Sequence, residues 1–358
     1  MTMGTQGLLS RGKRRLLILL CILEVFFIQM TSISAGRSSP STQNLQVQTQ
    51  LKLLNKPAVK SIKSPDGDII DCIKITHQPA FDHPLLQNHT IQMTPNFYPE
   101  GVFGQNKVSS RMKKGSRTIT QMWHLNGRCP QGTISVRRTK EDDLLRASSI
   151  KAFGRKKHRS VPQPRSADPD LISQSGHQHA IAYVDGDKYY GAKGTMNVWE
   201  PKIQQSNEFS LSQIWILGGS FGEDLNSIEA GWQDPKEGNW WMQFGNDYVL
   251  GYWPGFLFSY LADSASMIEW GGEVVNSESD GQHTSTQMGS GHFPKEGFGR
   301  ASYFKNIQIV DGSNNLRAPK GLATFTEQSD CYDVHIGKGG NWGSYFYFGG
   351  PGRSPNCP

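Results

Sequence analysis

Two glutamates stand in tryptophan-marked, glycine-flanked segments, Ile228-Glu229-Ala230-Gly231-Trp232-Gln233 and Trp270-Gly271-Gly272-Glu273-Val274. Both segments read as strands. Side chains alternate along a strand, so Ile228, Ala230 and Trp232 fall on one face and Glu229 and Gln233 on the other, and Glu273 lies opposite Trp270 and Val274. Gly231, Gly271 and Gly272 leave the backbone bare beside each carboxylate, as a groove that admits a polypeptide requires. Two carboxylates facing one cleft divide acid and base roles, because proximity forces their pKa values apart. On spacing alone, two solvent-face glutamates are the competing reading.

The other chemistry-bearing motifs read as structural. Gly218-Gly219-Ser220-Phe221-Gly222 has the spacing of a nucleophile elbow, but a strand follows it where that motif needs a helix. His177, His179, His283 and His292 lack the His-Glu-x-x-His or Cys-x-x-Cys spacing of a metal site and read as turn residues; neither a metal nor a cofactor is expected. Trp240, Trp241, Tyr252 and Trp253 are candidates for an apolar substrate pocket, with core packing as the alternative for each.

The elements that must hold these residues are short strands. The chain has 358 residues, is 36% hydrophobic and 10% aromatic, and carries 39 glycines, which suits a sizeable core of strands joined by tight turns. Alternating runs at 179–184, 194–199, 209–217, 240–244, 301–310 and 344–348 are separated by Asp-Gly, Gly-Gly and Asn-containing turns; only 255–266 reads as a helix in this half. Many strands with no helices between them predict an antiparallel sandwich. Upstream, 36–65 is rich in Ser, Thr, Gln and Lys and reads as flexible, with a short helix near 45–54.

The N-terminal 35 residues have the layout of a secretory signal peptide: Arg11, Lys13, Arg14 and Arg15, an apolar run over 16–30, then small residues around Ser34 and Ala35. No stable membrane anchor is expected, although an uncleaved anchor is the rival reading. Removing that segment takes Cys21 and leaves Cys72, Cys129, Cys331 and Cys357, an even number that predicts two disulfides in one of three pairings. Cys72 with Cys129 would brace the upstream part, and Cys331 with Cys357 would clip the C-terminal strands. Asn88-His89-Thr90 is a glycosylation sequon that fits the same compartment. The net charge of +6 divides into +15 over residues 1–170 and −9 over residues 171–358. The one basic run, Arg155-Lys156-Lys157-His158-Arg159, has no aromatic interleaving, which argues against nucleic-acid binding.

Taken in order, the 78–84 stretch, Cys129-Pro130, Trp199-Glu200-Pro201, the 228–233 segment, Asn239-Trp240-Trp241, Gly251-Tyr252-Trp253-Pro254, the 270–274 segment, Met288-Gly289-Ser290-Gly291-His292-Phe293 and the terminal 347–357 region resemble the plant neprosin family. The resemblance covers about 280 residues. Between the signal peptide at 1–35 with the flexible segment at 36–65 and a basic, proline-containing linker at 149–176, it implies an α+β activation-peptide domain at 66–148, and after the linker a β-sandwich peptidase domain at 177–358. It implies a secreted glutamic endopeptidase of the extracellular space, cell wall or vacuole, made as a zymogen inhibited by its own propeptide. Such an enzyme cuts proline-containing peptides after proline in acid, with Glu229 and Glu273 as its catalytic glutamates. A carbohydrate-binding sandwich and a non-catalytic family remnant are the alternatives.

One departure bears on activity. After Gln233 the family continues through a tyrosine-rich stretch, a close cysteine pair and several strands, whereas here Gln233 runs directly into Asp234-Pro235-Lys236-Glu237-Gly238-Asn239. The missing block is on the order of sixty residues, or roughly four strands. Its loss predicts exposed sheet edges, aggregation and no proline-directed activity in the chain as written.

Overall fold

A computed structural model describes residues 40–102, 121–147, 149–150, 153–154, 164, 176–220, 224–245, 248–278, 282–337 and 339–358. The expected signal peptide and most of the 149–176 linker lie outside the described residues. The chain divides into two compact units, Met1–Pro57 with Arg138–Phe153, and Ala58–Arg137 with Gly154–Pro358.

In the smaller unit, helix α1 (Pro40–Leu54) packs against the short helix α2 (Glu141–Leu145). Glu141, Asp142 and Asp143 crowd the first turn of α2, where the helix dipole favours negative charge. Asn55 clasps Thr139: its amide Nδ2 donates to the Thr139 carbonyl at 2.9 Å and its Oδ1 accepts from the Thr139 N–H at 2.9 Å.

The larger unit is built on antiparallel sheets joined by turns and short 3-10 helices. Its first sheet has β2 (Ile69–Lys74) between β1 (Ala58–Lys63) and β3 (Thr133–Arg137). A disulfide ties Cys72 in β2 to Cys129, with Cα atoms 5.3 Å apart. The remaining strands are β4 (His177–Tyr189), β5 (Gly191–Met196), β6 (Ser210–Ser220), β7 (Asp224–Ile228), β8 (Gly231–Gln233) and β9 (Trp240–Phe244). After them come β10 (Tyr248–Trp253), β11 (Ala265–Val275), β12 (Ser302–Val310), β13 (Leu316–Arg317), β14 (Ala323–Thr326), β15 (Asp333–Ile336) and β16 (Phe346–Gly349). They form a five-stranded sheet in the order β14-β4-β11-β6-β7 and an eight-stranded sheet in the order β10-β9-β8-β5-β12-β16-β15, with β13 on β12. This is the expected mainly β antiparallel sandwich. The second disulfide, Cys331 with Cys357, clips its C-terminal end.

Strand alternation builds the core. Ile268, Trp270 and Val274 of β11 meet Phe304 of β12 and Phe346 and Phe348 of β16 between the sheets. The odd positions of β11, namely Met267, Glu269, Gly271 and Glu273, face the other way. On that face Met267 joins Ile181, Trp215 and Leu217 in a second apolar cluster.

Three local expectations are corrected. The 228–233 segment is not one strand: β7 ends at Ile228, residues 229–230 bend, and β8 starts at Gly231 in the other sheet. Glu229 and Gln233 therefore do not share a face; Gln233 is buried and its amide donates to the Ala262 carbonyl at 2.8 Å. The 255–266 helix is a single 3-10 turn, Gly255–Leu257, followed by turns and the start of β11, because Pro254 and the pairing of Ala265 with Tyr189 outweigh local propensity. The glycines beside the carboxylates do not open a groove. A Cβ on Gly272 would meet the Met288 sulfur at 2.7 Å and the Phe348 ring at 2.9 Å, and one on Gly231, at φ +127°, would land on the Trp241 carbonyl oxygen.

The 233/234 junction folds as a turn. Asp234 N–H donates to the Asn239 carbonyl at 2.9 Å and Gly238 N–H to the Asp234 carbonyl at 2.8 Å. The turn makes β8 and β9 a hairpin with Trp232 opposite Trp241. Replacing Gly231 with Ala should lower the unfolding free energy by about 3 kcal/mol or more, since the neighbour is backbone that cannot give way. A chemical-denaturation midpoint equal to that of the parent chain would contradict this packing.

Candidate active site

Glu273 is fully buried on the outer face of the five-stranded sheet. An ionised carboxylate there needs compensating charge or hydrogen bonds, and the register supplies both. Across the β4–β11 ladder Glu273 stands opposite His179, with His177 as its diagonal neighbour. His177 Nδ1–H donates to Glu273 Oε1 at 2.6 Å, and His179 Nε2 lies 3.8 Å from the same oxygen.

His179 is itself held from behind by Glu327, in the turn after β14. Glu327 Oε2 accepts from the His179 backbone N–H at 2.5 Å and Oε1 accepts from its Nδ1–H at 2.7 Å. This double grip fixes the ring so that Nε2 is directed toward Glu273. Burial alone disfavours charge on His179, but the Glu327 charge and the Glu273 and Glu327 carboxylates outweigh it and raise its pKa to about 10. The Trp215 ring meets the imidazole edge-on at 6.4 Å and helps wall it off.

Sequence reasoning passed over this cluster. His177 and His179 are strand residues bonded to a carboxylate rather than turn residues, and Glu327 is 148 positions from His179. The signal available was the His-x-His spacing, which puts two imidazoles on one strand face. A further buried glutamate, Glu269, lies on the same face of β11 between Tyr183 and Trp215.

The environment of Glu208 shows how differently this chain treats a structural carboxylate. Burial opposes its charge, yet hydroxyls of Thr286, Ser277 and Thr284 and the Ser277 N–H hold its pKa below the usual range. Those contacts fasten Ser277, Thr284 and Thr286.

Glu229 sits elsewhere. It is exposed, in the bend between β7 and β8. On β6, Leu211 is opposite Glu273 and Trp215 is opposite Glu269, while Ile216 is opposite Ile228 of β7. Extending that ladder by one residue brings Glu229 to the row of Trp215, two strands and four residues from Glu273, a Cα separation on the order of 15 Å. Of the two glutamates chosen from sequence, Glu273 lies in β11 of the five-stranded sheet and Glu229 in the bend just beyond β7, and they are not neighbours.

The aromatic candidates are also redistributed. Trp240 and Trp241 are fully buried core residues, Trp240 Nε1–H donating to the Leu261 carbonyl at 2.7 Å. With both rings inside, neither can face a carbohydrate ligand at the surface. Trp253 is half-buried against the main core. Tyr252 is half-buried, and its hydroxyl is bonded to His89 Nε2 at 2.6 Å and accepts from the Gln92 N–H at 2.9 Å. A cavity of about 270 Å³ lies here, walled by Phe81, Leu86 and Ile91 on one side and Trp241, Val249 and Tyr252 on the other. After Ser220, the end of β6, the next described element is strand β7 rather than a helix, so no nucleophile elbow is formed among the described residues.

Comparison with known families finds two matches: the family described as Neprosin activation peptide matches residues 61–183, and the family described as Neprosin matches residues 232–351, together about two thirds of the chain. The chain belongs to the neprosin family, as an activation peptide followed by a neprosin domain. Glu273 falls inside the second match, and Glu229 lies between the two.

The His179 pKa has a stability consequence. It is raised from 6.5 to about 10 on folding, so the charge contributes fully below pH 6.5 and its contribution is lost as pH rises toward 10. Melting temperature should fall across that window in the parent chain and fall less in His179→Gln. Equal alkaline losses in the two proteins would contradict the buried imidazolium.

Proposed function

We propose that this chain is the precursor form of a secreted plant glutamic endopeptidase that cleaves proline-containing peptides on the carboxyl side of proline in acid, and that in this form its catalytic pair is not assembled. The observation that carries the reading is Glu273: a fully buried carboxylate, bonded to His177 and facing His179, within the matched neprosin segment. Structural need does not explain it, since a hydrophobic residue there would fold at lower cost than a buried ionic cluster.

The chemistry needs one ionised carboxylate to take a proton from water and one protonated carboxyl to polarise the scissile carbonyl and protonate the leaving amine. Glu273 and Glu229 are the pair. In this chain the Gln233–Asp234 junction draws residues 231–233 into a hairpin with β9, which leaves Glu229 in the crossover four residues upstream. A restored segment after Gln233 lets β8 take other neighbours and Glu229 approach Glu273. The upstream segment fits a self-inhibitory propeptide: besides Tyr252, it reaches Asp234, whose Oδ2 accepts from the Asn96 N–H at 2.6 Å, and Trp232, whose Nε1–H donates to the Phe97 carbonyl at 3.1 Å. Exposed Asn88 and the two disulfides support a secretory route, with the extracellular space, cell wall or vacuole as destination.

The test compares two proteins on a proline-containing peptide near pH 4. The chain as written should show no cleavage after proline. The chain with a family segment restored after Gln233 should cleave, and Glu229→Gln or Glu273→Gln should each reduce its turnover by roughly 10³-fold. Cleavage by the chain as written, or turnover retained in either variant, would refute the corresponding part of the proposal.

A further inference from the structure

The reading above leaves open which glutamate carries the proton. The surroundings of Glu273 decide it. A carboxyl buried this deeply loses its hydration and, left alone, becomes neutral, which disqualifies it as a base in acid. Glu273 is not left alone. On β4 it faces His177 and His179, the turn after β14 contributes Glu327 behind His179, its own strand contributes Glu269 four residues away, and β6 presents apolar Leu211. Within that set, His179 is the group placed between two carboxylates, 2.7 Å from Glu327 on one side and 3.8 Å from Glu273 on the other.

We propose that His179, oriented by Glu327, is a positioning residue that holds Glu273 ionised, which makes Glu273 the general base and gives the proton-donor role to Glu229. The proposal rests on the glutamic-peptidase reading for its functional meaning, but the charge state it assigns is a property of the folded chain alone. The geometry supports it in three ways. Glu327 is anchored by the His179 backbone N–H and holds the ring through Nδ1, so the ring cannot turn its Nε2 away from Glu273 without breaking the Nδ1 bond. His179 is only 2% exposed, so water does not screen the attraction. His177 Nδ1–H donates to the same Glu273 oxygen, and a donor favours the charged acceptor. During turnover Glu273 takes one proton from water as the water oxygen bonds to the carbonyl carbon. When the C–N bond breaks, the leaving nitrogen receives the Glu229 proton; Glu273 then gives up its proton to solvent and Glu229 takes one from solvent, so the net change is addition of one water across the amide with both carboxyls restored.

The assignment is tested on the intact chain by NMR, with ¹⁵N-labelled histidine and ¹³Cδ-labelled glutamate, titrated from pH 4 to pH 9. The expected result is an imidazole, assigned to His179 by its loss in His179→Gln, with both ring nitrogens protonated throughout, and a Glu273 carboxyl, assigned by its loss in Glu273→Gln, still ionised near pH 4.5. In Glu327→Gln the His179 ring should titrate at lower pH and the Glu273 carboxyl should become protonated at higher pH. A His179 ring that is singly protonated at neutral pH in the parent chain, or a Glu273 carboxyl protonated at pH 5, overturns the proposal without any variant being needed. In the segment-restored chain, His179→Gln should move the acid limb of the pH–rate profile upward while leaving substrate affinity within about twofold; an unmoved acid limb also overturns it. Failure of the peptidase reading looks different, since it appears as turnover that survives Glu273→Gln while the NMR result stands.

Discussion

The register between β4 and β11 is the constraint on which the site depends. It puts Glu273 opposite His179 on the outer face and, by the same alternation, puts Trp270 and Val274 into the core between the sheets. A slip of β11 by one residue would carry Glu273 into the apolar core, away from His179, and expose Trp270, so the packing of large side chains on one face enforces the pairing on the other. Gly272 helps to lock the register, because the close approach of Met288 and Phe348 leaves no room for a side chain there. The cluster is costly to bury: the His179 imidazole stands between the Glu327 and Glu273 carboxylates, and His177 reaches the same Glu273 oxygen.

The same logic explains the fate of Glu229. Its position depends on where the chain passes from one sheet to the other, and that passage is set by what β8 pairs with. Here β8 pairs with β5 and β9, and the 234–239 turn closes the hairpin with its own hydrogen bonds. The upstream segment then binds over the hairpin at Tyr252, Asp234 and Trp232. These contacts from the activation-peptide segment hold the hairpin closed.

Much of the fold was legible in the sequence because it follows from period-two patterning. The 240–244 run is β9, the 179–184 run lies inside β4, and the alternation around Glu273 holds residue for residue. The two disulfides are among the pairings that the cysteine count allowed. What sequence could not show is non-local. The break at 229–230 leaves no mark in composition, since Ile228 to Gln233 alternate as one strand would, and only the pairing of β7 with β6 and of β8 with β5 reveals two sheets. The histidine cluster was missed for the same reason: Glu327 reaches His179 only after β14 has paired with β4. The tryptophans of 240–241 were ambiguous by nature, because an aromatic residue on a strand looks alike whether it lines a pocket or fills a core.

The account turns on one charge state, that of a buried glutamate beside a buried imidazolium. Neutron diffraction from crystals of the deuterated chain, grown near pH 5, locates those protons directly. The account predicts deuterons on both ring nitrogens of His179 and none on Glu273. A deuteron on a Glu273 oxygen, or a His179 ring with a bare Nε2, would contradict it.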